Sequence, residues 1–158
     1  MLICIKSDFL IIRKYLSETF RLTCNFLGAS FMRYEVIIEG YNPLIEEEID
    51  VNVNGTKLKC FMPYGTDFFV EEGRKYYSEI EGILFDELII NEIYAPIQKI
   101  EIHESNFSHR IFGYLEFDKG VIHSSIDVYL DMEYLYDYAY LDGKFVEIII
   151  ARFNIEFI

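Results

Sequence analysis

Tyrosine takes every second position from 134 to 140: Tyr134, Tyr136, Tyr138 and Tyr140, interleaved with Leu135, Asp137 and Ala139. In an extended chain this spacing lines the phenols along one face, because strand side chains alternate sides. Such a row can stack nucleic-acid bases. It can also anchor a protein interface, where tyrosine is enriched among the residues that carry binding energy. Base stacking is normally accompanied by a basic groove, yet Asp131, Glu133, Asp137 and Asp142 surround this row, and carboxylates beside phosphates cost affinity. The interface reading therefore stands ahead of base stacking. A third reading needs no extended chain: as a helix, the segment would put Leu130, Tyr134, Tyr138 and Leu141 on one face and simply cover the domain.

A second acidic cluster, Glu46, Glu47, Glu48 and Asp50, offers carboxylates to a basic partner, or forms the solvated loop that is the usual fate of a charge run. No metal is expected. In the only calcium-like spacing, starting at Asp131, Tyr136 stands where the loop requires glycine and Asp142 where it ends in glutamate. Lys57, Lys59, Arg74 and Lys75 are the bases that would line an alternative groove for nucleic acid or a small anionic ligand.

His103, His109 and His123 fall in none of the HxxH, HxxxH or HExxH spacings, and GxSxG, Walker and GxGxxG patterns are absent from the sequence. A small hydrolase would have to pair one of these histidines with Ser105, Ser108 or Ser124. No catalytic residue is assigned and no cofactor is expected. Cys60 lies among apolar neighbours in a strand pattern and reads as an inert thiol. Cys4, Cys24 and Cys60 form neither a CxxC motif nor a ligand cluster, so the reducing cytoplasm is the expected setting.

The elements that must position these residues are strands. Alternation runs through Tyr34–Glu39, Ile49–Val53 and Leu58–Met62, and Asn54-Gly55 between the last two suits a type I′ hairpin turn. Further strands are expected over Tyr76–Phe85, Lys99–His103, Arg110–Phe117 and Val121–Leu130. Asp86–Ile93 is ambiguous between helix and strand. Phe145–Ile158 is apolar on both sides through its first half, as a central strand covered on both faces would be. Seven or eight short strands with regular turn signals predict an all-β domain, an antiparallel barrel or sandwich with at most one short helix. An OB-like barrel is the favoured arrangement, its strands curved by Gly82 and Gly113.

Charge divides the chain at Met32. Residues 1–31 carry four bases and two acids, leaving residues 32–158 with 25 of the 27 acids and 10 of the 14 bases, a net of −15. The first segment reads as an apolar, weakly basic leader. Phe9, Ile12, Leu16 and Phe20 would line one face of an amphipathic helix, or the native chain starts at Met32 and the leader is an extension. No stretch approaches the ~20 apolar residues of a transmembrane span, and Asp8, Arg13 and Lys14 interrupt any signal-peptide core. The acidic segment repels phosphate backbones and attracts basic proteins. The expected function is accordingly a non-catalytic acidic β-domain that binds another protein. Its sharpest form is an inhibitor or immunity-type partner of a basic toxin or nucleic-acid-acting protein. Exposed strand edges would also allow a homodimer.

Overall fold

The computed structural model describes residues 32–42, 44–45, 47–104 and 107–158. The leader 1–31 with the readings placed on it, Glu46 and Ser105 lie outside the described residues. Five strands close a barrel: β1 (Met32–Tyr41), β2 (Glu48–Val53), β3 (Thr56–Phe61), β4 (Lys75–Ile83) and β11 (Arg152–Phe157). Their order is β1-β2-β3-β11-β4, with β4 returning to β1. Neighbours are antiparallel except β3 and β11, which run parallel where Cys60 and Phe61 face Phe153 and Asn154. Asn54 and Gly55 take φ of 51° and 88° at the tip of the β2–β3 hairpin, the left-handed pair that a type I′ turn demands.

Between β4 and β11 the chain builds a second sheet from β5 (Ile90–Glu92), β6 (Lys99–Ile102), β7 (His109–Glu116), β8 (Val121–His123), β9 (Asp127–Tyr129) and β10 (Phe145–Ile150). Its order is β5-β10-β7-β8-β9, and β6 pairs with the first half of β7. The architecture is therefore all-β, a closed five-strand barrel plus a second sheet. Alternation fills one continuous core: Val36, Ile38, Ile49, Val51, Leu58, Phe153 and Ile155 in the barrel meet Ile111, Leu115, Ile122, Val146, Ile148 and Ile150 of the second sheet.

Two expectations need correction, and one open choice is decided. The stretch 145–158 is two strands in two sheets. Val146, Ile148 and Ile150 point inward from β10, whereas Phe153 and Ile155 point inward from β11, so the buried parity switches at Ala151. An apolar pattern on both sides arises because the chain changes sheets. The stretch 121–130 is likewise two strands, β8 and β9, folded back as a short hairpin, which helps bring the total among the described residues to eleven. Of the readings open for the tyrosine run, the helical one holds: α1 (Met132–Leu135) continues into a 3₁₀ segment, Tyr136–Leu141. Leu135 and Leu141 are the side chains it buries, and that packing outweighs strand alternation.

Gly113 is required by a close approach in the second sheet. A Cβ there would lie 2.5 Å from the His123 backbone oxygen on the adjacent strand. Among the described residues, no helix is long and apolar enough to cross a membrane.

Candidate functional site

The helical segment after β9 is fixed at both ends. The Asp131 side chain accepts the Glu133 N–H at 3.0 Å, capping α1. Asp142 Oδ1 accepts the Phe117 N–H at 2.9 Å. In between, Tyr138 turns inward and its hydroxyl donates to the Leu88 carbonyl at 2.8 Å, joining the segment to the loop before β5. Tyr134, Tyr136 and Tyr140 remain exposed, with Glu133 and Asp137 exposed among them. The structure thus separates the four tyrosines into one structural anchor and three surface residues set among carboxylates.

The Glu46–Asp50 cluster is divided too. Lys59 Nζ binds the Glu48 carboxylate and lies 3.3 Å from Asp50. The Glu48 hydrogen bond, followed by that of Asp50, holds the ammonium above its ordinary range against the burial that lowers it. Glu47 stays exposed, and its carbonyl accepts the Met62 N–H at 2.8 Å.

The alternative groove fares differently. Lys57 and Lys75 fall on one cross-strand row with Asn52 and Ile37 between them, and Lys59 lies beside Lys57 on β3. Each base already faces acids: Lys57 lies 3.1 Å from Glu39, Arg74 2.7 Å from Glu71 and Lys75 2.7 Å from Glu35. This neutralisation extends across the domain. Arg33, Lys99, Arg110, Lys119 and Lys144 pair with Glu79, Glu101, Glu147, Glu116 and Glu92. Nine of the ten basic side chains in 32–158 therefore face a carboxylate. The tenth, Arg152, lies instead over the rings of Phe61 and Phe85. Single surface pairs add little stability, but together they leave no row of free cations for phosphates.

The histidines have separate roles. His109 is fully buried at the start of β7; its Nδ1 lies 2.7 Å from the Phe107 carbonyl, and its Nε2 accepts the Lys59 N–H at 3.2 Å. Burial pushes its pKa down to about 4, with a smaller push from the Lys59 charge and an opposing one from the Phe107 bond. His123 stands between two carboxylates, Nε2 2.8 Å from Glu116 and Nδ1 2.8 Å from Asp127. Glu116 first, then Asp127, hold it above the ordinary imidazole range. His103 Nε2 lies 3.5 Å from Glu104. Ser108 Oγ donates to the His103 carbonyl and Ser124 Oγ to the Phe112 carbonyl. Among the described residues no histidine is hydrogen-bonded to a serine hydroxyl, and no cluster of His, Cys, Asp or Glu has metal-holding geometry.

The Arg152 clamp and the His123 clamp were not legible in the sequence. Phe61 and Phe85 reach Arg152 from far along the chain. Glu116 and Asp127, seven and four residues from His123, reach it from the neighbouring strands β7 and β9, and the β8–β9 hairpin that brings Asp127 round is hidden where 121–130 reads as one strand.

Fold and surface define an all-β domain, a barrel carrying a second sheet, in which nine of the ten bases of residues 32–158 face carboxylates of its own surface. The chain belongs to the family described as uncharacterised conserved protein UCP019853, whose profile matches residues 32–158. No curated protein matches the chain, and neither does any solved structure.

Proposed function

We propose that this acidic β-domain is a non-catalytic module that binds a basic partner protein, most sharply as an inhibitor or immunity-type partner of a toxin or nucleic-acid-acting protein. The supporting observation is the charge arrangement. With nine of ten bases held against carboxylates and a net of −15 on residues 32–158, the surplus is entirely anionic. Opposite potentials accelerate association and make it salt-dependent. The exposed Tyr134, Tyr136 and Tyr140 beside Glu133 and Asp137 supply the aromatic anchors that such an interface uses. Glu47 adds charge elsewhere on the surface.

The test is capture from the source organism's lysate with the immobilised full chain at low and high salt, alongside the double variant Glu133→Lys/Asp137→Lys. The expected result is a stoichiometric basic protein, released by salt and captured more slowly by the variant. Capture of nucleic acid, or of nothing, would overturn the reading.

A second reading, an OB-like nucleic-acid or small-ligand module, draws support from the barrel's connectivity. The barrel has five strands in the order β1-β2-β3-β11-β4 and a parallel pair between its third and last strands, as an OB-like barrel would. The paired state of Lys57, Lys59, Arg74 and Lys75 weighs against its nucleic-acid form. Saturable binding of short single-stranded DNA or RNA at low salt, read by fluorescence anisotropy, would restore it.

A further inference from the structure

We propose that Arg152 seats the carboxylate of a small monoanionic ligand whose apolar body lies in the cleft beside β10. The inference goes beyond the basic-partner reading and does not depend on it.

Arg152 opens β11 at the seam between barrel and second sheet. Its guanidinium carbon lies 4.1 Å from the centre of the Phe61 ring and 5.1 Å from that of Phe85. Contact with aromatic rings occupies the faces of a guanidinium and leaves its in-plane N–H edge for hydrogen bonding. That edge is not completed by the protein. Arg152 is the one base of the described residues without a carboxylate partner, and its Nε is buried with no acceptor. Two residues on, Asn154 points to the same outer side of β11, and its Oδ1 is also buried without a partner. Buried polar groups are nearly always satisfied, so two orphans on one strand face call for a specific cause. The Asn154 amide, turned either way about its last torsion, offers an N–H or a C=O to what binds there.

The cleft meets this seam at Phe85 and Ala151, while Arg152 and Asn154 themselves stand outside its lining. It measures about 420 Å³ and is lined by Leu84, Phe85, Ile89, Ile149 and Ala151, with Ser108 on its wall. That volume suits a small molecule. Phe85 belongs to both features, since its ring contacts Arg152 and also lines the cleft, and Ala151 is the chain neighbour of Arg152. Ile89 and Ile149 are exposed, which leaves apolar surface open to a ligand chain. The charge of the ligand follows from the surroundings. A guanidinium edge matches a carboxylate in shape and sign, whereas Asp86, Glu87 and Glu147 also line the cleft and disfavour a second negative charge.

Titration of the full chain, following the Arg152 Nε–H resonance in ¹H–¹⁵N spectra, tests this with defined probes. Sodium octanoate should shift that resonance saturably, and octanol should bind about tenfold or more weakly because it lacks the charge-assisted bonds. Arg152→Lys, which keeps the charge and loses the fork, and Ile149→Asp, at an exposed position, should each weaken octanoate binding by a similar factor. The comparison of octanoate with octanol in the unaltered protein stands even where a variant fails to fold. Absence of a saturable octanoate shift, or equal binding of octanol, would overturn the proposal. So would tighter binding of octyl phosphate, or of a short peptide ending in Ile-Leu with a free carboxylate, because the occupant would then be a different class of molecule.

Discussion

His109 Nε2 accepts the backbone N–H of Lys59 at 3.2 Å, so an imidazole from the second sheet completes the hydrogen bonding of a barrel strand. β3 meets β11 only at Cys60 and Phe61, and Lys59 lies just before that short parallel ladder. The same ring packs against Phe153 of β11 at 4.8 Å between centres. One neutral histidine thus ties β3, β11 and β7 together. The bond requires the tautomer with its proton on Nδ1, directed at the Phe107 carbonyl.

This relationship gives stability a pH dependence. The folded value is lowered to about 4, against about 6.5 in an unfolded chain. Between these values the unfolded chain takes up a proton that the folded one refuses. The His109 contribution is therefore complete above about pH 6.5, falls as the pH drops, and levels off near pH 4. Its full extent is about 3 kcal/mol. Urea unfolding from neutral to acid pH should show this slope, and His109→Gln, which retains a donor and an acceptor without the titration, should lack it.

His123 has the opposite sign. Its folded value is raised by Glu116 and Asp127, so its stabilising contribution is present below the unfolded value of about 6.5. That contribution is lost as the pH climbs through the folded value. In an NMR titration His123 should lose its proton at higher pH than a free imidazole. Glu116→Gln should lower that midpoint more than Asp127→Asn does.

Gly113 should not tolerate alanine. The added Cβ would lie 2.5 Å from the His123 carbonyl oxygen and 2.7 Å from Ile122 Cγ2, inside a paired ladder that cannot give way locally. Gly113→Ala should cost about 3 kcal/mol by overpacking. Gly55→Ala, at φ 88° with open space around it, should cost only about 1 kcal/mol of backbone strain. Thermal melts of the two variants test the difference.

Cys60 should be chemically silent. Its side chain is fully buried, and burial, with a lesser contribution from Asp50, pushes the thiol pKa well up. In a Cys4→Ser/Cys24→Ser background, an aromatic disulfide reagent should release no chromophore from the folded protein and one equivalent per chain after denaturation.

Much of the barrel was legible because its signals are local. The alternation of Ile49, Val51 and Val53 against that of Leu58 and Cys60, joined by Asn54-Gly55, specifies a hairpin from adjacent residues alone. Alternation cannot say which sheet a strand joins. Val146 through Phe157 shows that limit: both parities are apolar, which describes one strand covered twice as well as two strands that face different layers. The tyrosine run stayed open between strand and helix for a related reason, and its helical reading is the one that holds. Its period of two is real, yet the segment winds into a helix that buries Leu135 and Leu141.

The sequence by itself determined the all-β class, the hairpin, the acidic surplus and the absence of familiar catalytic spacings, since these depend on composition and near neighbours. Only the tertiary structure decided that nearly every base would find a carboxylate, that Glu48 and Asp50 would be taken up by Lys59, and that Tyr138 would turn inward to Leu88. It also decided that Arg152 would lie against two phenylalanines. Apart from the local pairs Arg74–Glu71, Lys99–Glu101 and Lys119–Glu116, these are contacts between residues on different strands or loops. Such contacts are fixed by which strands pair and in what register, and a linear pattern of side-chain types does not encode that register.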